Sequence, residues 1–420
     1  MHSFAHLADA HIGSFRHPAL QDLAIKAFSE AMDVCVKRKV DFIIISGDLF
    51  DSNMPDMALA NVAVRKLREV RNQGIPLYAV YGSHDFSPTQ TSIVDLLDSS
   101  GLFRKVTKGK ITEGKLQLEF EVDEQTKAKI CGISGRRLGI DKEYYEILDR
   151  PTLENEEGFK IFAFHGALSE YKPRYIAEAD STPISTLPKG FDYYAGGHIH
   201  EKMHDDAHGY NIAYPGTLFG ADYRDLDTSA KGEERGFYIV QFSTKVERID
   251  FVPISVCGYE LMEYDASNKN ASGVQEDLLQ MARQQKSLES KLVLLKVSGE
   301  MSGGKTADID FQQIKKLLKD QGAIEIQLNY QKLTSKQYAA IHIASAGEET
   351  HKIEERLFKE HIGTVKVENP KLKSDAGIAL SKELLSVLKQ PKKENETKGS
   401  YESRVIADAT KTLGLQEDFK

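Results

Sequence analysis

Aspartates and histidines recur in this sequence at spacings that suit a metal centre. Five short motifs hold them: Asp9-Ala10-His11, Gly47-Asp48-Leu49-Phe50-Asp51, Gly82-Ser83-His84-Asp85, His165-Gly166 and Gly197-His198-Ile199-His200. Asp and His are natural ligands of Mn²⁺, Zn²⁺ and Fe ions. In Asp-x-His and His-x-His both side chains share one face of an extended segment, because side chains alternate with period two. Gly47, Gly82 and Gly197 let the chain turn sharply as it leaves a strand. Two ions roughly 3.5–4 Å apart can clamp a phosphodiester and activate water for in-line attack. Each motif alone has a plainer reading: Gly-Asp is a common turn, and Asp-x-His a polar strand end. Most of the 13 histidines would be surface or hydrogen-bonded residues. All five motifs in order, each after an apolar run, point to a two-metal centre for phosphate-ester chemistry.

The elements that must position these residues are legible as alternation. Apolar runs at 4–8, 41–46 and 75–81 suit strands buried on both faces, and 20–39 and 57–73 carry apolar residues at helical spacing. Strand–helix–strand order at this spacing predicts crossovers and mostly parallel strands. Further runs at 130–133, 160–164 and 191–195 lead into Gly or His, and 237–242 with 246–252 reads as a closing hairpin. After Ser255 the pattern becomes strand–helix–strand–helix–strand over 256–330, a small module of its own. Helices are expected at 349–361, at the Leu380, Leu384, Leu385, Leu388 stripe, and at the Val405, Ile406, Ala409, Leu413 stripe ending near Gly414. A polar linker, 391–399, separates the last two.

Length, charge and cysteine usage set bounds. The 420 residues are too many for one compact core. No apolar run of membrane-spanning length and no signal-peptide pattern is present, so no membrane association is expected. Cys35, Cys131 and Cys257 are odd in number and widely spaced, which fits neither a disulfide framework nor a C-x-x-C site. A reducing, cytoplasmic location follows as an expectation. The net charge of −8 argues weakly against coating nucleic acid by bulk charge. It leaves a nuclease open, because bound cations supply positive charge where phosphates sit.

The order D-x-H, G-D-x-x-D, G-S-H-D, H, G-H-x-H resembles the calcineurin-like metallophosphoesterase superfamily. Leu187-Pro188-Lys189-Gly190-Phe191-Asp192-Tyr193-Tyr194 running into Gly-His-Ile-His, then Tyr214-Pro215-Gly216-Thr217 and Gly236-Phe237-Tyr238-Ile239-Val240, narrow the resemblance to the SbcD / meiotic-recombination-eleven nuclease family. That resemblance implies an α/β metallophosphoesterase sandwich, two mixed sheets flanked by helices, with a small α+β capping domain and a C-terminal helical partner-binding segment. The implied divisions are 1–255 for the nuclease domain, 256–340 for a DNA-binding cap, and 341–420 for a linker and helix–loop–helix. Carried onto this chain, it implies that Asp9, His11 and His200 hold one divalent ion, that His165 and His198 hold the other, and that Asp48 bridges them. Mn²⁺ is the implied metal. His84 would be the general acid near the leaving oxygen, oriented by Asp85 or Asp48, and Asp51 would stabilise its loop. Two departures stand out. Ser83 occupies the place of an Asn that usually gives its carbonyl oxygen to a metal, and Phe219-Gly220 stands where Glu-Arg usually follows.

The implied partners are DNA, a second copy of the chain in a homodimer, and an SbcC / radiation-sensitive-fifty type ATPase on the C-terminal helices. The implied work is exonuclease and endonuclease cleavage at broken or structured DNA ends, in the nucleoid. A small-molecule phosphodiesterase and a scaffold with weakened catalysis are the rival readings. Outside the motifs, His17 is a candidate DNA contact, although His2, His6 and His17 read first as solvated loop. His204 and His208 read as surface turn, and Lys105, Lys108 and Lys110 as a solvated basic stretch.

Overall fold

In the computed structural model, residues 1–85, 92–135, 141–173, 180–207, 209–336, 375–393 and 398–414 are described. The expected helix at 349–361 and His208 lie outside them. The chain divides into two compact units, Met1–Gly299 with Thr306–Leu333, and Glu300–Lys305 with Thr334–Lys420.

The first unit opens as the alternation predicts: β1 (His2–Leu7), α1 (Pro18–Arg38), β2 (Phe42–Ser46), α2 (Met57–Asn72), β3 (Leu77–Val80), α3 (Ile93–Ser99) and β4 (Arg104–Lys105). A stretch of short strands follows: β5 (Gly109–Thr112), β6 (Lys115–Leu118), β7 (Glu121–Val122) and β8 (Lys129–Ile133). After α4 (Asp141–Glu146) and α5 (Arg150–Glu154) come β9 (Lys160–His165), β10 (Tyr193–Gly197), β11 (Met203–Asp205) and β12 (Ile212–Tyr214). Then α6 (Tyr223–Ala230) leads to β13 (Gly236–Phe242) and β14 (Val246–Pro253). Two six-stranded mixed sheets result, ordered β14-β13-β1-β2-β3-β4 and β11-β12-β10-β9-β8-β7. β1, β2 and β3 run parallel, as do β8, β9 and β10, while β13 and β14 form the expected antiparallel hairpin.

Period two explains how the layers divide. In β1 and β2, Phe4, Phe42 and Ile44 face the second sheet and meet Ile161, Ala163, Tyr193 and Ala195. Their neighbours Ala5, Leu7, Ile43 and Ile45 face outward, under α1 and α2. Phe162 and Phe164 of β9 likewise face outward into a third cluster with Tyr194 and Tyr214. His6, Ser46 and His165 fall on the inward parity, so the seam between the sheets carries polar groups toward the strand ends. α1 buries Leu20, Leu23, Ala27, Phe28, Ala31 and Cys35 at helical spacing and stops where Lys39 turns left-handed at φ 55°. Asp56 caps α2 by accepting from the Ala58 and Leu59 amides.

β15 (Gly258–Asp265), α7 (Ala271–Gln284), β16 (Lys291–Met301), α8 (Phe311–Asp320) and β17 (Glu325–Asn329) form the module after Ser255. Of the four strands in its sheet, these three are parallel and in sequential order, so both of their connections are crossovers, and β18 (Leu333–Ser335) pairs with β16. Asn270 and Asp310 cap its helices. The module shares a core with the first sheet's helical layer: Leu292 and Leu294 sit in one cluster with Phe219 and Leu226. In the second unit, α9 (Asp375–Leu388) and α10 (Lys398–Leu413) coincide with the two leucine-bearing stripes, and the Tyr401 hydroxyl donates to the Gln390 carbonyl. Leu388 and Ile406 remain exposed. No helix among the described residues is long and apolar enough to cross a membrane.

Candidate metal centre

The five motifs converge at the ends of β1, β2, β3, β9 and β10, where open α/β sheets form their binding crevice. Ligand atoms of Asp9, His11 and His200 lie within 4.8 Å of one another, as do those of Asp48, His165 and His198, and those of His11, Asp48 and His84. All the acids and histidines read as metal-binding or catalytic from sequence are therefore brought together. Ser83 joins them: its Oγ donates to Asp48 Oδ2 at 3.4 Å.

The backbone is bent to achieve this. Asp9, His11, Asp48 and His198 all take positive φ, at 50°, 42°, 48° and 90°. Such conformations cost about 1–3 kcal/mol each for non-glycine residues and persist where surrounding structure enforces them. Here the enforcement is visible. The Asp9 amide donates to the Gly47 carbonyl and the His11 amide to the Asp48 carbonyl, tying the first motif to the second. The His198 amide donates to both oxygens of Asp9, at 3.1 and 2.9 Å. Gly82 must be glycine, because a Cβ there would stand 2.0 Å from Asp48 Oδ1.

Each histidine but one has a partner that fixes its ring. His11 Nδ1 meets Asp51 Oδ1 at 3.1 Å, and His200 Nδ1 meets Asp225 Oδ2 at 2.8 Å. His165 Nδ1 donates to the Ser46 carbonyl at 2.8 Å, and His84 Nδ1 to the Asp51 carbonyl at 2.8 Å. A carbonyl can only accept, so the proton sits on Nδ1 in both rings and Nε2 is left for other work. His84 is thus oriented through its ring by Asp51. Asp48 Oδ1 accepts its backbone amide at 2.8 Å, and Asp85 accepts from the Gly82 and Phe50 amides instead. The expectation that Asp85 or Asp48 orients the ring is corrected: Asp85 points back under its own loop, which is where buried amides need an acceptor.

Burial makes the site's charges strong. Asp9, Asp48, His11 and His165 are each at most 2% exposed. Burial lowers the basicity of His11, but the Asp51 hydrogen bond and the fields of Asp48 and Asp9 outweigh it and lift its pKa to about 9. His165 is raised to about 10 against the same burial, chiefly by Asp48. Asp48 itself, despite desolvation, is held well below the usual carboxylate range by His165 and His11. Desolvation pushes Asp9 up, and it lifts Asp85 to about 6 with help from Asp48. His198 is lowered to about 3 by burial and by the neighbouring His165. The side-chain nitrogens His11 Nε2 and His165 Nε2 are buried without a hydrogen bond. They lie 3.7 and 3.1 Å from Asp48 Oδ2. Buried imidazole nitrogens without donors or acceptors, facing buried carboxylates, are what a divalent cation would satisfy.

Two residues escaped the sequence reading. Asp225, 2% exposed at the start of α6, is held near pKa 2, its burial outweighed by the hydrogen bond from His200. The signal for α6 was present: Asp222 accepts from the Asp225 amide three residues on, the pattern of a helix N-cap. His6 was read as solvated loop and is instead fully buried in β1 on the inward face. Its Nδ1 accepts from the Tyr193 hydroxyl at 2.9 Å and its Nε2 donates to Ser46 Oγ at 3.0 Å, while burial drops its pKa to about 3. His17 lies apart from the clusters: it is half-exposed, with Nε2 3.0 Å from Glu325 Oε2 of β17. Lys105 and Lys108 pair with Asp95 and Glu121. His204 bonds Asn211 on the surface.

Residues 2–202 match the family of calcineurin-like phosphoesterases. This chain carries a calcineurin-like phosphoesterase domain. Among curated proteins, the chain is 28% identical over 295 residues to DNA double-strand break repair protein Mre11 of Archaeoglobus fulgidus, covering 66% of this chain and 64% of that one. It is 32% identical over 205 residues to the protein of the same name from Sulfurisphaera tokodaii, covering 47% and 48%. With that of Methanococcus maripaludis it shares 25% identity over 276 residues, covering 64% and 70%. The chain thus spans about half to two-thirds of the first two relatives. The resemblance read from the motifs, to the SbcD / Mre11 family, is borne out by these relatives, and the two-sheet sandwich is the fold it implied.

Proposed function

We propose that this chain is a two-metal DNA phosphodiesterase, Mn²⁺-dependent, that cuts broken or structured DNA ends as exonuclease and endonuclease. One observation carries the reading: two buried Asp/His clusters meet at Asp48, with orphaned imidazole nitrogens between them and His84 at the rim. Asp9, His11 and His200 would hold one ion and His165 and His198 the other, with Asp48 shared and Ser83 close enough to join the shell through water. The ions, when bound, would supply Lewis acidity and lower the pKa of water.

The chain's own residues supply the rest. Asp48 draws the two ligand sets together and fixes the His84 backbone. Asp51 orients two rings at once, His11 through its carboxylate and His84 through its carbonyl. With Nδ1 committed, His84 Nε2 is the nitrogen that can give a proton to the departing 3′ oxygen or donate to a phosphate oxygen. DNA as substrate is supported by the names of the relatives and by the module packed on the same core as the site. A homodimer, an SbcC-type ATPase on α9 and α10, and a nucleoid location belong to the same proposal.

The test is cleavage of end-labelled duplex DNA with Mn²⁺, with Mg²⁺ and with EDTA. Laddering in Mn²⁺ that EDTA abolishes, and that His84→Ala lowers by about 10²–10⁴-fold without loss of bound metal, is the expected result. Turnover of a chromogenic diester without DNA cleavage would replace this reading by a small-molecule phosphodiesterase.

A further inference from the structure

Arg235 is a buried permanent cation, 6% exposed, just before β13. Among the described residues its guanidinium donates to two segments. Nη1 reaches the His200 carbonyl at 2.5 Å. Nη2 reaches the Asp225 carbonyl at 2.7 Å and Thr228 Oγ1 at 2.5 Å, and Nε reaches Ser229 Oγ at 2.8 Å. The hydroxyls of Thr228 and Ser229 donate in turn to the same Asp225 carbonyl, at 3.0 and 2.8 Å. Arg235's own carbonyl accepts from the Ile254 amide at 2.8 Å, which anchors the fork to the β13–β14 hairpin.

The two segments gripped are the two halves of one pair. His200 donates through Nδ1 to Asp225 Oδ2, so the arginine holds the backbone of the ligand and the backbone of the residue that orients it. We infer that Arg235 is a positioning residue: its planar fork sets the His200–Asp225 geometry and thereby the ion site formed with Asp9 and His11. The inference rests on the metal-centre reading above. A lysine would keep the charge but offers a single nitrogen in place of the three that reach these acceptors.

The test is a Mn²⁺ titration followed by electron paramagnetic resonance, with thermal melting in EDTA. Asp225→Asn and His198→Ala mark the behaviour of each cluster. Arg235→Lys is expected to weaken one ion of two by roughly 10–100-fold, in the Asp225→Asn pattern, while the other ion binds as in the unaltered protein. Equal weakening of both ions, or of neither, would overturn it. Should Arg235→Lys fail to fold, Thr228→Val, which removes one acceptor of the fork, decides: a weakened first ion at unchanged melting temperature supports the inference, and unchanged binding defeats it. If the unaltered protein binds no Mn²⁺ at all, the metal-centre reading falls, which is a different result from two ions that Arg235→Lys leaves alone.

Discussion

The two ligand clusters are built by different means. In the Asp9, His11, His200 group both rings lean on carboxylates, Asp51 and Asp225, borne by loop and helix outside the sheets. In the Asp48, His165, His198 group His165 leans on the Ser46 carbonyl, part of the sheet itself, and His198 is held by the backbone bonds that its neighbour Asp9 accepts. The first arrangement places charge beside each ring and can be altered one side chain at a time. The second is as rigid as β2 and β9 and offers no orienting side chain to remove. Outer partners of this kind tune ligand basicity, so the first site is the adjustable one.

Asp48→Ala is the harshest test, because it strikes both groups: two-ion binding and phosphodiester cleavage should both vanish to the level seen with EDTA, measured by metal stoichiometry and turnover. Retention of either ion at full affinity would show that the clusters are independent. Asp51→Asn and Asp225→Asn should each weaken only the first ion, by roughly 10–100-fold, since an amide neither accepts nor compensates a ring proton as a carboxylate does.

The pH dependence sharpens the contrast. Metal-free protein holds protons on His11 and His165 up to about 9 and about 10, and a metal must displace them. Ion uptake at pH 7.5, chosen about midway, should therefore release protons, visible as calorimetric heats that change with the buffer's ionisation enthalpy. Heats independent of buffer would contradict the assignment. Because these folded-state values exceed the ordinary 6.5, their contribution to metal-free stability is complete below 6.5 and is lost as pH rises toward 9 and 10. His6, lowered from 6.5 to about 3, acts oppositely: its contribution is present above 6.5 and lost as pH falls toward 3. Melting temperatures in EDTA should thus decline on both sides of neutrality.

Ser46→Ala should have the smallest effect on metal. The carbonyl that holds His165 remains, while the lost hydroxyl leaves His6 Nε2 and the Ala195 carbonyl short of a partner, costing about 1–3 kcal/mol of stability by denaturant melts. Metal affinity reduced as far as in Asp225→Asn would erase the distinction between the clusters.

Much of this was legible along the chain. Gly-Asp, Asp-x-His and His-x-His after apolar runs located the ligands, since ligands at strand ends need only short-range signals: a buried run, a glycine, an acid or imidazole. The same runs predicted the crossovers, the hairpin and the module after Ser255. What escaped were contacts between distant segments. His6 was set apart as a loop residue although it stands inside the apolar run 4–8, because an imidazole reads as polar until its partners are known; only the second sheet, through Tyr193, shows that it is core. Asp225 lies 25 residues from the histidine it orients, and no spacing rule joins them. His84's partner proved to be Asp51, 33 residues away, rather than either acid first considered.

The sequence by itself determined which residues could bind metal and which strands carry them, because both are properties of local pattern. Tertiary structure alone decided how the ligands divide and what aims each ring. Those depend on left-handed turns at Asp9, His11, Asp48 and His198 and on partners brought in from other strands. Such turns are costly for any one residue in isolation and are held in place only by the packed sheets around them.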